Sequence, residues 1–354
     1  MRRTVKKYNN QFKPLFGLIS SKNPVPALIE TVKSLFRGGC VGVIVVDDGS
    51  DDEAARKIFD KAEQAGAQVI HLKKNMGKAK ALQAGFRAMP HGAIIVQTDD
   101  DTLAGDLSAP LNRIRNGAAD IVDIRVEVMK TKTLIGAVQE LAYWLINAVP
   151  KRLQDWFRAR TWMSGASVMY NYEAGKILIM EEASSMTEDT EGLFRARTYG
   201  LKVRFHSGYK SRFMTMVPED FGGVIKQWRR WTTGSGQIIG KYGFGGGYTR
   251  IAAVNVFGWC YMMLPIYQEV TAPTLTTLLW LAGSGAVIGI AGAIRLKRAK
   301  LAVVGFLLPA LQIVWIAMAF SGLWFAWRLH RKGSGQSGMA WVSPKRTTVV
   351  EMAE

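Results

Sequence analysis

Between residues 14 and 216, short apolar runs alternate with longer segments of mixed polarity. PLFGLIS, GVIVVDD, AQVIHL and AIIVQTD are brief, rich in Val, Ile and Leu, and end in polar turns. Such runs read as buried β-strands. Helix-like stretches lie between them: NPVPALIETVKSLFR, DEAARKIFDKAEQAG and GKAKALQAGFRAMP. Strands alternating with helices of that length imply right-handed βαβ units on a mostly parallel sheet, a Rossmann-like α/β fold. Ligands then bind beyond the carboxyl ends of the strands.

The second half has a different character. Uncharged runs cover 251–268, 270–294 and 301–327, separated by Glu269 and by RLKRAK. A membrane-crossing helix takes roughly 20 apolar residues. The second and third runs are long enough with some tilt, and the first is marginal, so two or three C-terminal transmembrane helices are expected. Arg295, Lys297, Arg298 and Lys300 hold their loop on the cytoplasmic side, whereas QEVTAP carries no positive charge and can cross. This predicts an integral protein of the plasma (inner) membrane with residues 1–250 in the cytoplasm. Three spans would put the basic tail outside, against the positive-inside tendency; the alternative lays the first run in the interface.

Composition narrows the classes. Of 354 residues, 48% are hydrophobic and 21% charged, which excludes a disordered chain. Two distant cysteines, Cys40 and Cys260, give no disulfide framework, and scattered histidines give no zinc spacing. MRRTVKKYNNQFK is basic but lacks the apolar stretch of a signal peptide, so no cleaved leader is expected. The net charge of +18 raises a nucleic-acid or membrane-surface binder as a second class.

The candidate chemistry sits at strand ends. VIVVDDGSDD ends in Asp47 and Asp48, and IIVQTDDDT ends in Asp99, Asp100 and Asp101. Adjacent carboxylates repel one another, and a cation relieves that repulsion. Hard oxygen donors of this kind suit Mg²⁺ or Mn²⁺ shared with a substrate diphosphate. Aspartate capping of a helix after a strand explains one such site, but both much less well. Lys78 and Lys80 of NMGKAKALQAG lack Walker spacing and, taken alone, read as a solvated helix face. SSMTEDTEGLFRARTYG crowds Glu188, Asp189 and Glu191 into the first turn of a helix. The helix dipole favours negative charge there, and a carboxylate so placed can also act as a general base. QWRRW (residues 227–231) sets two arginines between tryptophans, suited to stacking bases, gripping a phosphate or lying at a membrane surface.

DDGS, TDDDT, TEDTEGL and QWRRW occur in that order, a pattern that resembles the processive branch of glycosyltransferase family 2, the cellulose, chitin and hyaluronan synthases. The resemblance covers about residues 14 to 235. It implies a membrane-bound inverting glycosyltransferase with a GT-A catalytic domain, a nucleotide-sugar donor (usually a UDP-sugar), and Mg²⁺ or Mn²⁺. Carried over, Asp48 contacts the uridine with Asp47 beside it, Lys78 lies near the nucleotide, Asp99 contacts the nucleotide-sugar, and Asp101 holds the metal. Asp189 is the base that activates the acceptor, and Glu188 beside it contacts the acceptor. MSGAS, with Ser164, Gly165 and Ser167, lies beside the acceptor, and GAVQELAYWLINAV resembles the membrane-interface helix. Gln227, Arg230 and Trp231 fit QxxRW: Arg230 clamps the leaving diphosphate and Trp231 floors the acceptor sugar. Trp228 and Arg229 fall at variable positions and face headgroups.

The expected division is a GT-A glycosyltransferase domain over 1–220, an interfacial amphipathic segment over 221–250, transmembrane helices over 251–328 and a flexible basic tail over 329–354. The expected partners are a nucleotide-sugar, a carbohydrate or lipid acceptor and the bilayer, with no nucleic acid; homo-oligomerisation is left open. QxxRW favours processive synthesis of a β-linked polysaccharide, and the short membrane part favours single transfer to a lipid or other acceptor. The basic residues near 226–250 and RLKRAK flank membrane segments, which suits anionic headgroups better than nucleic acid.

Overall fold

The computed structural model describes residues 13–158, 160, 162–242 and 274–307, with Trp324 and Arg328. The four apolar runs become β1 (Leu15–Ser21), β2 (Gly42–Asp47), β3 (Gln68–His71) and β4 (Ile94–Asp99). The intervening helices are α1 (Ala27–Arg37), α2 (Glu53–Gln64) and α3 (Lys78–Arg87). Then follow β5 (Thr102–Leu103), α4 (Ser108–Arg115), β6 (Ile121–Ile124), β7 (Val126–Val128), α5 (Leu134–Ala148) and α6 (Pro150–Trp156). β8 (Val168–Asn171), α7 (Tyr172–Gly175), α8 (Glu188–Thr198), β9 (Val203–His206) and β10 (Phe213–Thr215) complete the α/β part.

Seven strands form one sheet in the order β3-β2-β1-β4-β8-β6-β9. Its pairings are parallel except those of β8, which runs antiparallel to β4 and β6. A smaller sheet, β5-β10-β7, lies apart. The fold is a mixed α/β domain with a mostly parallel central sheet, as the alternation of apolar runs and helices predicts. Its central strands β1, β2 and β4 are mostly apolar because both faces are covered, whereas the edge strand β3 is partly exposed. Val43 and Val45 pack toward Leu28, Val32 and Leu35 of α1 and Phe59 of α2, while Ile44 and Val46 face Ala81, Leu82 and Phe86 of α3. Each such side chain contributes ~1.5–3 kcal/mol on full burial. The turn after β2 needs its glycine: Gly49 has φ +66°, and a Cβ there would lie 2.3 Å from the Lys74 carbonyl carbon.

Among the described residues three α-helices follow: α9 (Phe221–Tyr242), α10 (Leu275–Leu296) and α11 (Lys300–Val304). Leu301 and Val304 pack on Ala137, Val138 and Leu141, which joins α11 to α5. Among the described residues no helix is long and apolar enough to cross a membrane, so the spans expected over 251–328 have no counterpart there. The run 251–268, most of 301–327 and the 329–354 tail lie outside the described residues, Trp324 and Arg328 excepted. RLKRAK is engaged by protein: Arg298 Nη1 lies 3.2 Å from Glu140, Lys300 donates to the Thr131 carbonyl at 2.8 Å, and the Arg295 guanidinium sits over the Tyr209 ring.

Candidate active site

The end of β4 sends three consecutive carboxylates to three different partners. Asp99 pairs with Lys78 at 2.7 Å, and Asp100 accepts from the Ser21 hydroxyl at 2.5 Å. Asp101, 2% exposed, accepts from the Thr102 hydroxyl at 3.2 Å. Their mutual repulsion is dispersed by geometry.

At the end of β2, Asp47 accepts from the Ser50 amide at 2.8 Å and meets His71 Nδ1 at 2.9 Å. Asp48 accepts from the Met76 amide at 2.6 Å, and burial pushes its pKa up. Capping of α2 falls instead to Asp52, which accepts from the Ala54 amide at 2.7 Å.

Lys78 begins α3 and departs from the solvated-face reading. Its ammonium lies 2.7 Å from Asp99 and 3.3 Å from Glu188. Burial alone would lower its pKa, but Asp99 and Glu188 outweigh burial and hold it above the ordinary value. The solvated reading fits Lys80, which is exposed and 3.6 Å from Glu182.

Asp189 lies in the first turn of α8. It accepts from the Gly165 amide at 2.8 Å and the Thr190 amide at 2.6 Å. Burial, and then the Glu188 charge, push its pKa up to about 6, against the pull of Lys78. A Cβ on Gly165 would stand 3.1 Å from the Asp189 carboxylate, so glycine permits this approach. The Gly165 loop is stitched to β4: Gln97 donates to the Gly165 carbonyl at 3.2 Å, and Thr98 to the Ala166 carbonyl at 2.8 Å. The Ser164 amide lies 3.4 Å from Asp123, while Ser167 is buried and donates to the Ile124 carbonyl. Gln97, Met163, Glu188, Asp189 and Gly192 line a pocket here.

QWRRW lies on α9. The Trp231 ring stands 6.5 Å from the Tyr143 ring at 52°. Burial raises the Tyr143 pKa; Arg230 opposes that shift, and Asp101 and Asp99 add to it. The Tyr143 hydroxyl therefore lies where the fields of the TDDDT turn and of QxxRW overlap. The Gln227 side-chain oxygen is buried without a hydrogen-bond partner. Arg229 is exposed and Trp228 half-buried.

The structure thus gathers Lys78, Asp99, Gly165, Glu188 and Asp189 into one network and sets Arg230 and Trp231 against Tyr143 beside it. Asp47 and Asp48 serve the neighbouring strand end. Among the described residues no group of three His, Cys, Asp or Glu side chains is disposed to hold a metal by itself. Asp99 and Asp101 offer hard oxygens, a donor chemistry that would suit a divalent cation.

Residues 18–175 match the family model described as Glycosyl transferase family 2. They are a glycosyltransferase family 2 domain. The chain is 25% identical over 201 residues to a poly-β-1,6-N-acetyl-D-glucosamine synthase of Staphylococcus epidermidis, covering 56% of this chain and 48% of that protein. A synthase of the same name from Staphylococcus aureus matches to the same extent. The chain spans about half the length of the curated relatives it matches. A mannosyltransferase from Pyrobaculum calidifontis, solved with GDP-Man and Mn²⁺, superposes with a TM-score of 0.54 at 17% identity, covering 90% of this chain and 89% of that one. That likeness is one of fold.

Motif reading of the family 2 domain missed Gln97, Thr98 and Tyr143. A glutamine inside the apolar run AIIVQTD was the available signal for the first. Tyr143 carried none, because its segment GAVQELAYWLINAV reads as a membrane-interface helix.

Proposed function

We propose that this chain is an inverting glycosyltransferase that moves a sugar from a nucleotide-sugar to a hydroxyl acceptor at a membrane. The supporting observation is Asp189: a half-buried carboxylate with its pKa raised to about 6, held by two backbone amides beside the Lys78–Asp99 pair. Such a group takes the acceptor proton near neutral pH. Lys78 and Arg230 stabilise the charge that develops on the departing diphosphate, and Trp231 with Tyr143 offers a flat surface to the acceptor ring. Asp99 and Asp101 would hold a divalent cation, which when bound adds Lewis-acid stabilisation of that diphosphate. A single displacement inverts the anomeric centre.

The donor is a UDP-sugar, tested first with UDP-N-acetylglucosamine because the matched synthases are named for that sugar. GDP-mannose enters the same panel because of the Pyrobaculum calidifontis neighbour. We place the product among β-linked polysaccharides; single transfer to a lipid is the second reading. Attachment to the membrane is supported by the apolar runs after residue 250 and by the exposed Leu279, Val287, Ile290 and Ile294 of α10. The decisive assay incubates detergent-purified protein with Mn²⁺ or Mg²⁺ and each donor, then follows nucleotide release and product mass. A ladder supports polymer synthesis, and one added sugar supports the second reading. Absence of release from every donor, with lipid extract present, overturns the proposal.

A further inference from the structure

QxxRW ends at Trp231, but the helix face that carries Arg230 continues. Residues 230, 234, 237 and 241 recur at the spacing that keeps one side of an α-helix in line. Arg230 is followed on that side by Gly234, Gln237 and Lys241, and all three contact the segment that ends in Asp189. A Cβ on Gly234 would lie 2.5 Å from the Thr187 hydroxyl, so glycine lets α9 close onto that residue. The Ser185 hydroxyl donates to the Gly234 carbonyl at 2.9 Å. Gln237 accepts from the Met186 amide at 2.9 Å, three residues before the base. Lys241 donates to the Ser184 hydroxyl at 2.7 Å and to Glu191 at 2.9 Å.

Glu191 closes the arrangement from the other side. Fully buried, it also accepts from the Ser184 and Ser185 amides at 2.7 and 2.8 Å. Burial would raise its pKa, but Lys241 and Ser184 outweigh burial and hold it low. Residues 184–191 therefore form a strap, anchored at one end by Glu191 and Lys241 and at its middle by Gln237. Asp189 rides on that strap, and Arg230 rides on the helix that anchors it.

We propose that Gly234, Gln237 and Lys241 are positioning residues that fix the spacing between the Arg230 guanidinium and the Asp189 carboxylate. This rests on the transfer reading above. An α-helix rises about 1.5 Å per residue, so Gly234 sits about 6 Å along the axis from Arg230 and Gln237 about 10 Å. Rigid contacts at those points hold base and leaving-group clamp at a constant separation. In-line displacement rewards such constancy, since a misplacement of about 1 Å costs about 100-fold in rate.

The test uses the full-length protein and the variants Gln237→Ala, Gln237→Glu and Lys241→Met. Gln237→Ala and Lys241→Met should lower kcat by about 10- to 100-fold, while donor KM and UDP affinity by calorimetry stay close to wild type; Tm should hold in Gln237→Ala and fall in Lys241→Met, which takes a cation from the buried Glu191. Gln237→Glu keeps an accepting oxygen for the Met186 amide and should recover most of the rate. Hydrogen exchange across residues 184–191 should quicken in the first two variants only. Unchanged kcat, or a kcat loss matched by an equal loss of UDP affinity, would overturn the proposal. Unchanged exchange would overturn it even if no donor were turned over. Failure of the transfer reading shows separately, as wild-type protein that releases no nucleotide.

Discussion

At the scale of single residues, the site is organised by what each carboxylate is held against. Asp189 is half-buried next to Glu188 and carries a pKa of about 6, whereas Glu191, two residues on, is held low by Lys241 and Ser184. One can exchange a proton near neutrality, and the other is a permanent anchor. If Asp189 is the base, log kcat should fall with unit slope below pH of about 6 and level off above it. Asp189→Asn should lower kcat by at least about 100-fold and leave UDP affinity within about two-fold; equal turnover by the mutant would remove Asp189 from the chemistry. The same shift has a stability consequence. A carboxyl whose folded pKa lies above its unfolded value favours the folded state at low pH, and that contribution is lost as pH rises from about 4 through about 6. Asp189→Asn should therefore melt above wild type at pH 8, with the difference closing toward pH 4, as calorimetry across that range would register. The strand-end acids were legible because each set follows an apolar run, and Asp189 because TEDTEGL crowds carboxylates into the first turn of a helix. Their partners were not: Lys78 reads as a solvent-facing lysine until Asp99 and Glu188, 21 and 110 residues away, are folded against it.

At the scale of elements, α5 connects more of the molecule than its sequence suggests. Its composition resembles a membrane-interface helix, yet several of its polar residues face inward. Gln139 donates to the Pro218 carbonyl, and Glu140 accepts from the Thr131 amide at 2.8 Å and pairs with Arg298. Asn147 donates to the Val126 carbonyl at 2.7 Å. Glu140 thus ties the start of α5 to the loop between α10 and α11, while Tyr143 on the same helix reaches the site. Glu140→Ala should destabilise the chain by about 2 kcal/mol, since hydrogen bonds to a charged group contribute more than neutral ones. The denaturation midpoint should drop accordingly, and an unchanged midpoint would mean that the loop docks without this carboxylate. β1 to β4 and α1 to α3 were readable because apolar runs and turn residues repeat locally. β5 was not: two residues long, it exists only through pairing with Met214 and Thr215, more than a hundred residues later. Antiparallel β8 likewise gives no sign in its own sequence of which neighbours it enters between.

At the scale of the whole molecule, the net charge of +18 is a poor guide to partners unless the cations are followed to their contacts. Lys78, Lys151, Arg160, Arg195, Lys241 and Arg298 all pair with carboxylates inside the structure. Lys151 and Arg160 share the fully buried Asp123, and burial holds the Lys151 pKa below its ordinary value. These six cations are not displayed along a groove, but each pairing also uses a carboxylate and leaves the excess of +18 elsewhere on the chain, so any binding of duplex DNA should be phosphate-driven and fall steeply with salt. A membrane makes a different demand, because apolar surface holds a protein there after salt has screened its charges. The exposed apolar residues of α10, together with the uncharged runs after residue 250, supply such surface. The full chain should therefore stay with sedimented membranes through washes in 1 M salt and in alkaline carbonate, and come off only in detergent. Release by salt alone would reduce the attachment to electrostatics. Release by carbonate but not by salt would place the chain on the bilayer surface, with the acceptor reaching Asp189 from the headgroup side rather than through enclosing helices.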